Sequence, residues 1–238
     1  MRNRRLSLLP PIYLLILCIF LFAGFFGNRI ITAISESSTM LNRQCVIIDA
    51  GHGGVDGGTT SCSGFLESNI NLEIALKLND LMHLLGIDTL MIRQSDISVY
   101  TEGESIAAKK VSDLKQRVRL VNSTQRGLLI SIHQNYFSDN RYKGAQVFYA
   151  PTAGSREFAS NVQSAFIQSI NKYSNRKIKK ADGIYLMQQI NCTGILVECG
   201  FLSNPEEDWL LRDNTYQNKI CCVLASSTSQ YLHNRNIS

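Results

Sequence analysis

The sequence has little proline, one tryptophan, few charged residues and no Cys-x-x-Cys pair. Its 238 residues include 4 Pro and 16 Gly, which excludes collagen-like and proline-rich chains. Hydrophobic residues make up 45% of the chain and charged residues only 18%, so intrinsic disorder is excluded too. The net charge of +5 is too small for a dedicated nucleic-acid-binding protein, and we expect no nucleic-acid partner. The length indicates one large domain or one domain with appendages.

The seven cysteines do not form a recognisable framework. They are Cys18, Cys45, Cys62, Cys192, Cys199, Cys221 and Cys222. Their odd number and wide spacing argue against a set of disulfides or a thiolate zinc site, and predict buried, unreactive thiols. If the domain is exported, one disulfide remains open as an alternative among positions 45, 62, 192 and 199.

The N-terminus contains a long segment without charge. Residues 1–5 include three arginines, and the uncharged run from Leu6 to Asn28 is long enough to cross a hydrocarbon core of about 30 Å. The positive-inside rule predicts a cytoplasmic tip at 1–5, a transmembrane signal anchor at 6–28 and a linker at 29–43, with residues 44–238 outside the cytoplasm. A cleaved signal peptide is the alternative, although no small-residue cleavage site follows Phe26.

Residues 44–238 have the pattern of an α/β domain. Short apolar runs predict strands over 45–49, 87–92, 128–132, 145–150, 184–187 and 195–198. Helical spacing predicts helices over 70–85, 106–121, 155–173, 209–211 and 216–232, and Gly86 is predicted to end the first of them in a left-handed conformation. The alternation predicts a largely parallel or mixed sheet flanked by helices.

Three of the predicted strands end in residues that bind metals or transfer protons. The segments are VIIDAGHGG at 46–54, LLISIHQN at 128–135 and GILVECG at 194–200. Ligands gather at the carboxyl ends of strands in open α/β sheets, so His52, His133 and Glu198 are predicted to converge, with Glu67 at a helix start as a fourth candidate. Two imidazoles and one carboxylate suit Zn²⁺, and a second carboxylate nearby would transfer a proton.

Each of these residues also has a structural interpretation. His52 could cap a turn, His133 could be a hydrogen-bonded strand residue, and Glu67 could stabilise a helix N-terminus. Glu198 is harder to explain in this way, because an unpaired carboxylate at the end of a buried run is costly. Their joint occurrence favours a functional site. The glycine loop at 51–58 lacks the endings of the phosphate-binding motifs, which argues against nucleotide binding.

Six segments in order resemble the motifs of the zinc-dependent N-acetylmuramoyl-L-alanine amidases of the Amidase_3 family. They are IIDAGHGGVDGG, GFLESNINLEIA, RQSD, DLKQRVRLVN, SIHQN and VECGFLSNPEE. The resemblance implies a phosphorylase/hydrolase-like α/β fold, zinc ligands at His52, Glu67 and His133, and Glu198 as the catalytic residue. It implies hydrolysis of the amide between muramic acid and the L-alanine of the peptidoglycan stem peptide. Ala50 stands where proline is common, which affects no ligand position.

A narrower resemblance is to the sporulation branch of this family. It rests on the N-terminal anchor, the long insert between Arg93 and Lys115, and the segments GAQVFY at 144–149 and GIYLMQ at 183–188. It implies action on spore cortex, towards muramic δ-lactam, by an enzyme held at the membrane with its catalytic domain in the space between the forespore membranes. Besides peptidoglycan and the membrane, an accessory extracytoplasmic protein is a candidate partner.

Three alternatives remain open: an inactive tethered peptidoglycan-binding or regulatory protein, a housekeeping cell-separation amidase, and another zinc hydrolase such as a carboxypeptidase. The intact candidate set argues against the first, because a degenerate regulator is expected to have lost at least one member. Arg117 is expected to orient polar groups near the site. The basic cluster Lys172, Arg176, Lys177, Lys179 and Lys180 is interpreted as a solvated loop, or as a surface that attracts anionic peptidoglycan.

Overall fold

A computed structural model of the protein describes residues 44–237. The predicted cytoplasmic tip, membrane anchor and linker, residues 1–43, lie outside the described residues. Within residues 44–237, no helix combines the length and the apolar character needed to cross a membrane.

The core of the described region is a six-stranded mixed sheet. Its strands are β1 (Cys45–Ala50), β2 (Thr89–Met91), β3 (Gly127–Asn135), β4 (Gln146–Tyr149), β5 (Lys179–Lys180) and β6 (Thr193–Phe201). Their order across the sheet is β2-β1-β3-β6-β4-β5. The first four strands in this order are parallel, whereas β4 runs antiparallel to β6 and β5 runs parallel to β4. The predicted sheet class is confirmed.

Helices cover both faces of the sheet. They are α1 (Glu67–Leu84), α2 (Ile106–Ser123), α3 (Ser155–Ser169), α4 (Tyr185–Gln189), α5 (Pro205–Arg212) and α6 (Asn214–Ile237). Helices α1, α3 and α6 pack together over one face, and α2 packs with α4 over the other. Strand side chains alternate between the two cores, so Val46 and Ile48 contact the first while Ile47 contacts the second. The fold is therefore a three-layer α/β domain.

Glycine ends the first helix, as predicted. Gly86 has a φ of 70°. Its N–H donates to the carbonyl of His83 at 3.0 Å, and the N–H of Ile87 donates to the carbonyl of Met82 at 3.0 Å. These two bonds satisfy carbonyls that the last turn of a helix leaves without partners.

The prediction of a strand over 184–187 is wrong, because helix α4 occupies Tyr185–Gln189. Gly183, with a φ of 81°, turns the chain just before it. Leu186, Met187 and Ile190 are buried, and this spacing places them on one side of a helical turn. A short apolar run has no period of its own, so the sequence does not distinguish a strand from one buried helical turn.

The cysteine prediction is correct for two residues and wrong for two others. All six cysteines in the described region are free. Cys199 and Cys221 are buried as expected. Cys62 and Cys222 are exposed, because the first lies in the loop before α1 and the second lies on the solvent side of α6.

A buried ion pair connects α2 to the end of β1. The side chains of Arg117 and Asp49 are 2% and 1% exposed, and Nη1 of Arg117 donates to Oδ1 of Asp49. Ser131 donates to the other carboxylate oxygen at 2.7 Å. Burial opposes ionisation of Asp49, but Arg117 and Ser131 hold the pKa of the carboxyl below its usual range. Arg117 therefore orients buried polar groups, as expected from the sequence.

We expect Arg117→Met to lower the free energy of unfolding by about 3–5 kcal/mol, because the Asp49 carboxylate loses its counter-charge. Arg119→Met removes the same charge from an exposed position of α2 and should change that free energy by less than about 0.5 kcal/mol. Urea denaturation at neutral pH measures both. Since the folded pKa of Asp49 is lowered, its stabilisation is lost as the pH falls through that value, so the difference should shrink in acid. Equal losses in the two variants would contradict the prediction.

Candidate metal centre

Three predicted site residues meet at the carboxyl edge of the sheet. His52 follows β1, Glu67 begins α1 and His133 lies near the end of β3. Their possible ligand atoms all lie within 4.8 Å of one another. Nε2 of His52 is 3.2 Å from Oε2 of Glu67, and Nδ1 of His133 is 3.0 Å from Oε1. Among residues 44–237, this is the one group of three or more His, Cys, Asp or Glu side chains that could hold a metal ion.

Two buried arginines fix the loop that carries His52. Arg93 donates from Nε to the carbonyl of Ala50 at 2.8 Å and from Nη2 to that of Gly51 at 3.1 Å. Arg117 donates from Nη1 to the same Ala50 carbonyl at 3.0 Å and from Nη2 to that of His52 at 2.7 Å. His52 has a φ of 61°, a left-handed conformation that the surrounding contacts must maintain. The imidazole is therefore presented by a loop whose carbonyls are held from two sides.

Two glycines allow the backbone to approach the candidate ligands closely. A Cβ at Gly51 would lie 2.3 Å from Cε1 and Nε2 of His133. A Cβ at Gly58, where φ is 69°, would lie 2.6 Å from Oε2 of Glu67 and 2.7 Å from Cδ2 of His52. Any larger residue at these two positions would displace the rings or the carboxylate.

Three donors outside the imidazole pair orient the Glu67 carboxylate. The N–H of Thr59 donates to Oε2 at 3.1 Å, and the N–H of Gln134 donates to Oε1 at 3.1 Å. Nδ2 of Asn71, one helical turn along α1, donates to Oε1 at 3.2 Å. Both oxygens of this buried carboxylate are thus fixed in direction.

Carboxylates determine the charge of His52. Nδ1 of His52 is 2.8 Å from Oδ2 of Asp56, and Lys110 pairs with the other oxygen of Asp56 at 2.7 Å. Burial lowers the pKa of His52, but Glu67 and Asp56 outweigh burial and raise it to about 9. Burial likewise opposes ionisation of Glu67, yet the imidazoles hold its pKa well below the usual range. In the metal-free protein, the site therefore combines an ionised carboxylate with an imidazole that is protonated at neutral pH.

Glu198 lies beside this group without belonging to it. Its Cα pairs with that of His133 across β3 and β6, and the register of the two strands shifts just beyond His133. Oε2 of Glu198 is buried and has no hydrogen-bond partner. Burial raises the pKa of Glu198 to about 7; His133 makes a smaller contribution that lowers it, and the charge of Glu67 adds to the increase. The two carboxylates thus differ sharply: one is fixed and ionised, and the other is free to gain or lose a proton near neutral pH.

Several residues that support the site escaped the sequence analysis. Asp56 and Asn71 each lie four positions after a candidate ligand, a spacing that offered a signal for Asn71 on its helix. Arg93 and Gln134 lie in the segments RQSD and SIHQN, but no local pattern indicates their contacts, which depend on the folded chain. Asn135, two residues after His133, has a local role instead: its Oδ1 accepts from the N–H of Tyr136 at 2.8 Å.

We expect Gly51→Ala to weaken metal binding by about 10- to 100-fold, because the new methyl group would force the His133 ring out of position. Gly57→Ala is the matched control in the same loop, since its methyl group would meet only the side chain of Leu66, at 3.1 Å. Titration of the metal-free variants with Zn²⁺ measures both affinities. Unchanged affinity in Gly51→Ala would show that the position of His133 is not needed.

Comparisons with known proteins agree on one family. The pattern of the Amidase_3 family, N-acetylmuramoyl-L-alanine amidase, matches residues 46–227. The germination-specific N-acetylmuramoyl-L-alanine amidase of Bacillus subtilis is 35% identical over 218 residues, covering 91% of this chain and 90% of that protein.

Two solved structures share the fold. The CwlD amidase from Clostridioides difficile, in complex with the GerS lipoprotein, has a TM-score of 0.77 and 36% identity over 80% of this chain and 99% of that one. An N-acetylmuramoyl-L-alanine amidase from Clostridium difficile 630 has a TM-score of 0.70 and 29% identity over 81% of this chain and 98% of that one. The chain therefore belongs to the Amidase_3 family, and it is a peptidoglycan hydrolase with N-acetylmuramoyl-L-alanine amidase activity.

Proposed function

We propose that His52, Glu67 and His133 hold a Zn²⁺ ion and that Glu198 transfers protons during amide hydrolysis. The donor set fits the ion, since two imidazole nitrogens and a carboxylate oxygen face one another within 4.8 Å. A bound Zn²⁺ would polarise the scissile carbonyl and lower the pKa of a water molecule towards about 7.

The protein contributes orientation at each ligand. Asp56 accepts from Nδ1 of His52, which leaves Nε2 facing Glu67. Gly51 leaves the room that the ring of His133 occupies, and the donors around Glu67 fix its two oxygens. Supporting contacts of this kind typically contribute a factor of about 10–100 in metal affinity.

The single observation that carries the catalytic assignment is the unpartnered Oε2 of Glu198. A buried carboxylate oxygen without a donor is costly unless substrate or water fills the position. As general base, Glu198 takes a proton from the attacking water, and as general acid it delivers that proton to the nitrogen of the departing L-alanine. A pKa of about 7 in the metal-free protein suits both directions of transfer.

The natural substrate under this proposal is the peptidoglycan of the spore cortex. The support is the similarity to an enzyme from Bacillus subtilis that is named germination-specific. Removal of the stem peptide frees the lactyl carboxyl group. Once a separate deacetylase has removed the N-acetyl group, the freed amine can close the muramic δ-lactam on that carboxyl with loss of water. A housekeeping role in cell separation is the alternative. It predicts that deletion of the gene removes products from the muropeptides of the vegetative wall rather than from those of the cortex.

We also propose that residues 6–28 anchor the enzyme with its catalytic domain outside the cytoplasm. The uncharged run and the preceding arginines support this location. An accessory extracytoplasmic protein is part of the proposal, because the CwlD amidase from Clostridioides difficile was solved in complex with a lipoprotein.

We expect the two carboxylate variants to separate metal binding from proton transfer. Glu198→Gln keeps shape but cannot carry a proton, so turnover should fall by about 10²- to 10⁴-fold while zinc content stays near one ion per chain. Glu67→Gln should lose zinc as well as turnover, because it weakens the ligand set. Metal analysis and mass spectrometry of released muropeptides measure the two properties on the same samples.

The control for both variants is Glu73→Gln, an acidic residue on α1 that is absent from the ligand group and should leave both properties unchanged. A zinc-free Glu198→Gln together with a fully loaded Glu67→Gln would mean that the roles are reversed. An inactive peptidoglycan-binding protein would show no turnover in the zinc-loaded wild type.

We further expect zinc binding to release protons at neutral pH. His52 is protonated in the metal-free protein because its pKa is raised to about 9, and a metal ion must displace that proton. Zinc affinity should therefore rise as the pH increases from 6 towards 9, and Asp56→Asn should reduce the number of protons released. Calorimetric titrations in buffers of different ionisation enthalpy count the protons. A pH-independent affinity would show that the metal does not displace a proton from His52.

A further inference from the structure

A cavity lies at the same edge of the sheet as Glu198, on the side of β4. It has a volume of about 880 Å³ and is bounded by residues 139–144, residues 170–176 and the starts of α5 and α6. Because β4 runs antiparallel to β6, its first residue Gln146 pairs with Glu198, and the loop at 139–144 directly precedes it. The cavity is of a size typical for ligand-binding pockets.

The acidic groups on the cavity wall already have partners. Asp139 pairs with Arg141 at 2.7 Å, and Glu206 pairs with Lys143 at 3.3 Å. Glu207 is buried, and its two carboxylate oxygens accept two backbone N–H groups at 2.8 Å each. Two cationic side chains on the wall, Arg176 and Lys172, take part in neither of these ion pairs.

Arg176 is held in position without a direct ion pair, although the nearby carboxylate of Glu207 partly opposes the effect of burial on its pKa. Its Nε donates to the carbonyl of Lys143 at 2.9 Å, and its Nη1 donates to Oε1 of Gln146 at 3.3 Å. The guanidinium lies 4.7 Å from the ring centroid of Phe201. In the part of the chain that the structure describes, no ion pair includes Arg176, and its Nη2 has no hydrogen-bond acceptor. The side chain is half-buried, and burial lowers its pKa, so the charge is poorly solvated.

Gln146 connects this guanidinium to the reacting centre. Residues that pair directly across two strands place their side chains on the same face of the sheet, so Gln146 lies beside Glu198. Gln146 is 2% exposed. Its side-chain amide accepts a hydrogen bond from Arg176 and donates one to the carbonyl of Lys177. The guanidinium is thus one strand away from the proposed proton-transfer group, with a buried amide between them.

We propose that Arg176, together with Lys172 on the same wall, binds a carboxylate of the stem peptide and so places the scissile amide against Glu198. The inference rests on the amidase activity. The stem peptide beyond L-alanine carries free carboxylates, and a fixed guanidinium with an open N–H edge is the side chain best suited to a carboxylate. A neutral sugar would leave this half-buried guanidinium without a direct ion pair. Arg176 is therefore a positioning and specificity-determining residue.

The test uses the full-length, zinc-loaded protein and two synthetic muropeptides that differ only at the second stem residue. One has a free carboxylate there, and the other has a carboxamide. The wild type should hydrolyse the carboxylate probe with the higher kcat/KM. Arg176→Met should lower kcat/KM by about 10- to 100-fold for the carboxylate probe and leave the carboxamide probe within about twofold, since one charge-assisted contact is lost. The decrease in kcat/KM should come mainly from a higher KM.

Two further variants complete the test. Lys177→Met removes the same charge from the next residue, which is exposed and does not line the cavity, so it should keep the preference. Arg176→Lys should keep part of the preference for the carboxylate probe. The proposal is overturned if the wild type treats both probes alike, if Arg176→Met lowers both equally, or if Lys177→Met matches Arg176→Met. Because each preference is a ratio on one sample, partial misfolding does not imitate the result, and wild-type turnover of either probe tests the amidase activity separately.

Discussion

Two buried guanidinium groups, of Arg93 and Arg117, determine the shape of the loop that follows β1, and the candidate metal centre depends on that loop. Both arginines donate to backbone carbonyls of residues 50–52, and together these bonds satisfy carbonyl groups of a loop that lies against the sheet. A buried cation is stable only when it is paired and hydrogen-bonded, and Asp49 supplies the charge for Arg117. The ion pair therefore does more than join α2 to the sheet: it keeps His52 in the left-handed conformation that turns its imidazole towards Glu67.

The environment gives the two carboxylates at the edge of the sheet different properties. Glu67 receives backbone and side-chain donors as well as two imidazoles, so it is ionised and directional, which suits a ligand. Glu198 is buried with one oxygen unpartnered, so its pKa is raised to about 7 and it can gain or lose a proton near neutral pH. The same chemical group is thus suited to metal binding in one position and to proton transfer in the other, because burial and hydrogen bonding differ between the two positions.

The sequence predicted most of the framework, because apolar strands, helical periodicity and Gly86 are local signals. It also predicted that His52, His133 and Glu198 converge, since strand ends share one edge of the sheet. The residues alone left open which carboxylate joins the histidines. The prediction from the sequence failed at Tyr185–Gln189, because a short apolar run has no period that distinguishes a strand from a helical turn. It also could not place Arg93, Gln134 or the amide of Gln146, because their partners lie far away along the chain and no local pattern specifies them.

The central claim is that His52, Glu67 and His133 bind the metal while Glu198 stands beside it as a proton carrier. An anomalous-difference map from crystals grown with Zn²⁺, recorded on both sides of the zinc absorption edge, tests this most directly. The account predicts one strong peak per chain, bonded to the two imidazoles and to Glu67 at about 2.0–2.2 Å, with the Glu198 carboxylate outside bonding distance. A peak bonded to Glu198, or no peak between the two histidines, would contradict it.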